Sequence, residues 1–283
     1  MLKHFLVAAT ASAGFAVSSL AGATVVQFQT DLGPFEVNLY DLRTPETVAN
    51  FLEYVDSGAY ENVVIHRSVA GFVIQGGGFI STGGLPLGAV TTNPAVVNEP
   101  AFSNIRGTIA MAKVSGDENS ATSQWFFNLV DNSESLDPQN GGFTVFGEVT
   151  GSGMDVVDAV AALPVFDAGG ALSSLPLQDY TAQNAADGVP VTDDHLVRVT
   201  AIVVIDAAAD TADGLSPVEN TLIDEVSAPA PAPTSGGGGG GGGVTGPASV
   251  LFVLVLAFAR YGAFAGRRRR RIRSGLSRRQ RFG

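Results

Sequence analysis

The chain has 283 residues, no Cys, 16 Lys+Arg against 27 Asp+Glu, and a formal net charge of −11. Without thiols there is no disulfide framework, no thiolate metal site and no Cys nucleophile, and the acidic balance argues against a general nucleic-acid binder. An apolar fraction of 45% excludes a wholly disordered chain.

Charge divides the chain into three segments. Residues 24–259 hold all 27 acidic residues and five basic ones (Arg43, Arg67, Arg106, Lys113 and Arg198), a net −22, whereas ten Arg lie from Arg260 onward. Residues 1–23 read as an export signal. Lys3 and His4 give a polar start, an apolar stretch runs from Phe5 to Leu20, and Ala21-Gly22-Ala23 has the small-x-small cleavage pattern. The mature chain is expected to begin near Thr24.

From residue 24 the strand signals are dense. Val25–Thr30 and Phe35–Tyr40 alternate and are separated by Asp31-Leu32-Gly33-Pro34, a turn composition that predicts a hairpin. Thr44, Pro45 and Glu46 form a helix start, and Val48, Phe51, Leu52 and Val55 then fall on one face before Gly58. Further strands are expected at Val63–Val69, Phe72–Gln75, Gly107–Lys113, Gln124–Val130, Thr144–Thr150 and Leu196–Asp206. A second, short helix is expected from Met154 to about Ala162, with Val156, Val157 and Val160 inward. Eight short strands and two helices predict a mainly β domain, a closed barrel or a sandwich. Residues 163–195, with Gly169-Gly170, Pro176, Gly188 and Pro190, read as an irregular loop without an assignable role.

Beyond residue 206 the composition changes. Residues 207–243 form an Ala/Pro/Asp-rich linker ending in eight consecutive glycines, Gly236–Gly243. Residues 244–266 read as a transmembrane segment. Its apolar stretch 247–265 spans about 28 Å at 1.5 Å per residue, close to a hydrocarbon thickness of about 30 Å. Residues 267–283, with Arg267–Arg271 leading, are expected to stop transfer and stay cytoplasmic. Gly-rich stretch, apolar helix and terminal Arg cluster together resemble the GlyGly-CTERM sorting signal of Gram-negative bacteria. That resemblance implies a rhombosortase-type protease as a partner and a periplasmic or cell-surface location. A plain inner-membrane anchor is the alternative.

Few residues in 24–206 can carry chemistry. His66 and His195 are its only histidines and lack ligand spacing, so no metal site is expected. There is no Gly-x-Ser-x-Gly elbow, and Gly76-Gly77-Gly78 does not open a helix as a dinucleotide site requires. One basic residue among apolar ones remains. Arg67 lies within Val63-Val64-Ile65-His66-Arg67-Ser68-Val69 and alternates with His66 across the strand.

Four blocks fall in order: the His66-Arg67 strand, Gly71-Phe72-Val73-Ile74-Gln75-Gly76-Gly77, Ser123-Gln124-Trp125-Phe126-Phe127, and Val145-Phe146-Gly147. Together they resemble the cyclophilin family of peptidyl-prolyl cis–trans isomerases over about Thr24 to Asp206. The resemblance implies a closed eight-stranded antiparallel barrel capped by two α-helices. It places Arg67 and Gln75 on catalytic positions, Gln75 orienting either Arg67 or the substrate backbone, and puts Phe72, Val73, Ala112, Lys113, Phe126, Leu136 and Phe143 on substrate-binding positions.

Val73 stands where Met is common, Phe143 where His is common, and Ser135 where Trp or Phe is usual. The last departure points away from cyclosporin binding. The implied activity is X-Pro isomerisation in exported proteins, without cofactor, metal or nucleic acid. The partners are proline-containing polypeptides and, through the tail, the membrane; a monomer is expected. The alternative is a non-catalytic proline-peptide binding or chaperone module at the cell envelope.

Overall fold

A computed structural model describes residues 24–207 and 215–223. The expected signal peptide, the poly-Gly stretch, the membrane segment and the Arg-rich tail lie outside these residues. Among the described residues no helix is long and apolar enough to cross a membrane.

The predicted hairpin is present. β1 (Val25–Thr30) pairs antiparallel with β2 (Gly33–Leu39), with Phe28 opposite Phe35 and the turn closing at Thr30 and Gly33. The expected strand 63–69 forms as two pieces, β3 (Val63–Val64) and β4 (Arg67–Val69), because it serves two neighbours. β3 pairs with the last strand, whereas β4 pairs with β5 (Val73–Gly76). Two short strands follow, β6 (Phe79–Ile80) and β7 (Gly88–Ala89), which pair with each other at the sheet edge.

The remaining strands are β8 (Thr108–Met111), β9 (Trp125–Asn128), β10 (Val145–Val149) and, after the helices introduced below, β13 (Arg198–Asp206). They build one eleven-stranded antiparallel sheet, β4-β5-β9-β8-β10-β2-β1-β13-β3-β6-β7. The sheet curls so that the consecutive halves of the run 63–69 stand far apart in this order, β4 at one end and β3 third from the other. All eight expected strand segments are present. The fold is mainly β with a strongly curled sheet.

The inside of the curl is filled by aromatic residues. Trp125, Phe28, Phe51, Phe127 and Phe146 are fully buried. Trp125 meets the Phe28 and Phe127 rings edge-on at 5.3 and 5.5 Å. Burying rings of this size dominates core energetics. Gly76 and Gly77 are dictated by this packing: a Cβ would lie 2.5 Å from the Trp125 ring at Gly76 and 2.3 Å from the Ser123 carbonyl at Gly77, where φ is +78°.

Both expected helices form, α1 (Pro45–Asp56) and, after α2 (Ser133–Leu136), α3 (Gly153–Ala161). Phe51 and Val48 of α1 and Val157 and Val160 of α3 are buried against the core, while Leu52, Val55 and Val156 pack partly buried at its edge. The start of α1 differs from expectation. The Thr44 hydroxyl donates to the Tyr40 carbonyl instead of capping. The free amides of Glu46 and Thr47 donate to the Glu99 carboxylate at 3.3 and 2.8 Å, an anion at the positive end of the helix.

Residues 163–195 are more ordered than composition suggested. β11 (Val165–Phe166) pairs with β12 (Leu175–Pro176), and α4 (Ala182–Ala186) starts at a Thr181/Asn184 capping box. Leu175, Leu177 and Tyr180 form a separate apolar cluster with Val64 and Leu196. Ser68 of β4 donates its amide to the Ser174 carbonyl at 2.8 Å, so this segment flanks the strand that carries Arg67.

Candidate active site

Strands β5, β9 and β8 are buried on both faces, β4 and β10 flank them with half-buried residues, and the two faces of this part of the sheet carry different clusters. Ile74, Trp125, Phe127, Ile109 and Met111 point into the curl. On the outer face, Val73, Phe126, Ala110, Ala112 and Val145 join Tyr40, Phe102, Leu136 and Phe143 in a second apolar cluster, against which Phe72 packs half-buried. Register makes this outer row. Arg67 pairs with Gln75, Gln75 with Phe126, Phe126 with Ala110, and Ala110 with Val145. Directly paired residues of an antiparallel sheet share a face, so a guanidinium, an amide and an aromatic ring stand side by side.

Polar contacts fix the cationic end. Arg67 Nη1 donates to Gln75 Oε1 at 3.4 Å, and Gln75 Nε2 donates to Gln124 Oε1 at 2.8 Å. Gln75 is buried while Arg67 keeps partial access to solvent. Burial lowers the guanidinium pKa from its ordinary value. Salt bridges among the described residues involve Arg43, Arg106 and Arg198, not Arg67.

The apolar end is a wall of rings. Phe126 and Phe143 meet edge-on with centroids 5.9 Å apart, and Leu136 is 1% exposed behind them. Lys113, expected as a binding position, lies under this wall. Its Nζ donates to the Asn140 carbonyl at 2.8 Å and the Gly142 carbonyl at 2.5 Å, and sits 5.0 Å from the Phe143 ring centre. Burial pulls its pKa down to about 8, against the nearby charges of Glu118 and Asp117. Ser135 is half-buried and donates its hydroxyl to the Asn132 carbonyl. All nine predicted site residues thus lie on this outer face or directly beneath it.

Two features have roles that carry no signal in the sequence. Gln124, which stands within one of the four family blocks, completes the chain from Arg67. Beneath the wall lies a buried amide network. Asn132 donates to the Phe72 carbonyl and to Asn128 Oδ1; Asn128 donates to Asn104 Oδ1 and Thr108 Oγ1; and Asn104 donates to Asp137 Oδ1 and the Phe143 carbonyl. Buried amides with partners rigidify what they hold. Asn104 and Asn132 lie in loops and Asn128 ends β9, an arrangement without a periodic signal, so sequence alone does not reveal their convergence.

His66 points away from this face. It is 2% exposed and meets the Phe79 ring edge-on at 4.9 Å. Among the described residues no group of three or more His, Asp or Glu gathers as a metal site would require.

Comparison with known proteins gives a consistent match. Residues 25–182 match the family described as cyclophilin type peptidyl-prolyl cis-trans isomerase/CLD. The chain is 38% identical over 167 residues to peptidyl-prolyl cis-trans isomerase A of Dickeya dadantii, covering 58% of this chain and 84% of that protein. It is 43% identical over 144 residues to peptidyl-prolyl cis-trans isomerase B of Escherichia coli, covering 48% of this chain and 83% of the relative. A crystal structure of a cyclophilin type isomerase from Cryptosporidium parvum aligns at a TM-score of 0.47 with 19% identity, over 65% of this chain and 98% of that one.

Proposed function

The chain belongs to the cyclophilin-type peptidyl-prolyl cis–trans isomerases and is an enzyme of that class, and from this premise we propose that Arg67 and the outer apolar face are its catalytic centre. Rotation about an X-Pro bond breaks amide resonance, a barrier of about 20 kcal/mol. A catalyst has to bind the twisted amide more tightly than either planar form. Phe72, Val73, Phe126, Leu136 and Phe143 would hold the proline ring. Arg67 would donate toward the substrate carbonyl and the pyramidalising proline nitrogen, where apolar surroundings strengthen each hydrogen bond. Gln75 would orient the guanidinium. Backbone groups at Ala112 and Lys113 would bind the residues preceding proline in an extended form. No proton transfer, cofactor or covalent step is required.

The observation that carries this reading is the cross-strand row from Arg67 through Gln75 to Phe126, one cation at the edge of an apolar wall. The test is isomerisation of an X-Pro peptide by the wild-type protein and by Arg67→Ala. A loss of about 100-fold or more is expected, with Arg67→Lys recovering little because it lacks the planar fork. Equal rates for wild type and Arg67→Ala would remove Arg67 from the mechanism.

We further propose that the isomerase acts on exported polypeptides as a monomer. The curled sheet would serve as the closed eight-stranded barrel of the family. The supporting features are the 1–23 leader pattern and the order of poly-Gly, apolar segment 244–266 and Arg-rich end 267–283. A rhombosortase-type protease would remove the tail, leaving the protein periplasmic or at the cell surface. Intact mass of the protein recovered from the native envelope tests both ends: residues 1–23 and 267–283 should be absent, and a mass that retains 267–283 rules out cleavage.

A further inference from the structure

Residues 215–223 lie past the family match and past β13, in a stretch whose Ala, Asp and Pro content reads as a solvated linker. The structure instead docks them on the domain. Glu219 forms an antiparallel bridge with Phe102: Ser103 donates its amide to the Val218 carbonyl at 2.8 Å, and Asn220 donates its amide to the Ala101 carbonyl at 3.0 Å. Phe102 belongs to the outer apolar cluster, and Leu215 packs against the same cluster. Arg43 clasps both oxygens of Glu219 at 3.0 Å while its guanidinium carbon lies 5.0 Å over the Phe102 ring. That ion pair is exposed, so the backbone pairing and apolar packing are the stronger attachments.

Asn220 carries the strap to the turn between Leu136 and Phe143. Asn220 is oriented by the Leu222 amide, which donates to Oδ1 at 2.9 Å. Its Nδ2 then faces the Asp137 carbonyl at 3.3 Å and sits where a Cβ on Gly142 would approach it to 3.1 Å. Asp137 and Gly142 bracket the turn that joins Leu136 to Phe143. Side chains hold the last four carbonyls of this turn: Lys113 takes Asn140 and Gly142, Asn98 takes Gly141 and Gly142, and Asn104 takes Phe143. Asn220 supplies the one clamp among these that comes from outside the family match.

We infer that Asn220 is a positioning residue for the isomerase. Through Asp137 and Gly142 it fixes the 137–143 turn and so holds Phe143 in the proline-binding wall. The inference rests on reading Leu136 and Phe143 as walls of that pocket. A turn free to shift leaves the ring's face available for only part of the time, and affinity falls by that fraction. Arg67 is held by Gln75 and not by this turn, so its proposed contacts with the twisted amide would be unaffected. The substrate-binding unit therefore extends to about residue 223 rather than stopping at the last strand.

The test uses the full-length protein with Asn220→Ala and Asn220→Asp, the second being isosteric but lacking the donor. NMR titration of an Ala-Pro peptide gives Kd, and exchange spectroscopy at saturation gives the catalysed rotation rate. Hydrogen exchange reports the amides of residues 141–143. Kd should rise about three- to tenfold in both variants with the saturated rate within about twofold of wild type. Exchange should quicken in the turn while the thermal midpoint stays close to wild type. A Kd unchanged in both variants overturns the proposal, and so does a lowered midpoint without a change in Kd. Phe143→Ala separates the two levels of inference. If it weakens binding while the Asn220 variants do not, the pocket stands and the positioning role falls. If Phe143→Ala leaves Kd unchanged, the pocket reading fails and takes the proposal with it.

Discussion

The Lys113 ammonium lies 5.0 Å from the centre of the Phe143 ring and spends its hydrogen bonds on the carbonyls that immediately precede that ring. A cation over an aromatic face is attractive, and desolvation strengthens it. Desolvation also has a cost, which shows in a pKa pulled down to about 8. Lys113 is therefore both a structural pin for the binding wall and a group that titrates near physiological conditions.

The pH dependence follows from that value. Between about pH 8 and the ordinary 10.5 the unfolded chain binds a proton at Lys113 that the folded chain has released. Stability from this group therefore rises with pH across that window. The buried Tyr40 and Tyr60 oppose it only higher up, because burial raises their pKa values and their contribution is lost as pH rises above the ordinary 10. Urea unfolding at neutral pH and at about pH 9.5 should show a midpoint gain in wild type that Lys113→Met lacks. An equal pH response in the two proteins would contradict a desolvated ammonium.

His66 sets the acid limit. Burial, aided by the Arg67 charge, lowers its pKa from 6.5 to about 4. The unfolded chain takes up this proton first, so stability is lost as pH falls from about 6.5 to 4. At 1.36 kcal/mol per unit the loss approaches about 3 kcal/mol. His66→Leu should be less stable than wild type at neutral pH but lose less on acidification. Denaturation midpoints compared at both ends of the window check this.

Resemblance to the family is what brings Arg67, Gln75, Val73 and Phe126 together from the sequence, along with Ala112, Lys113, Leu136 and Phe143, which share no period. Strand period alone puts Val73 and Gln75 on one face. The α1 face, with Val48 and Phe51, follows from period in the same way. What sequence does not show is contact between distant loops. Glu99 caps a helix more than forty residues before it, and Asn104 meets Asn128 and Asn132 from a segment more than twenty residues earlier. The segment 215–223 is the extreme case. A Pro- and Ser-containing stretch without alternation reads as linker, yet its backbone finds a partner at Phe102 that no local pattern announces.

Gly77 tests how strictly the Trp125 packing is specified. Its φ of +78° disfavours any side chain, and an added Cβ would lie 2.3 Å from the Ser123 carbonyl, a backbone atom that cannot swing aside. Gly77→Ala should lower stability by about 3 kcal/mol or more, combining left-handed strain with a steric clash. The sole Trp, next to this contact, gives a fluorescence readout of the urea transition. A loss below about 1 kcal/mol would mean that the Ser123–Trp125 backbone yields easily.

Gln124 is the residue whose role sequence missed and whose effect is most specific. Gln75 has one side-chain amide to share. Its Oε1 accepts from Arg67, and its Nε2 donates to Gln124. Removing the acceptor at 124 leaves that buried Nε2 unsatisfied. The Gln75 amide can then flip or turn away, and Arg67 loses its fixed aim while the rings that hold proline stay in place. Catalysis by a preorganised donor depends on that aim, whereas ground-state binding depends on the rings. Gln124→Leu should therefore slow catalysed rotation by about tenfold with peptide affinity within about twofold of wild type. Gln124→Glu, which restores an acceptor, should recover part of the rate. The same exchange and titration measurements distinguish the outcomes. A fall in affinity at unchanged rate would place Gln124 in ground-state binding instead of in the orientation of Arg67.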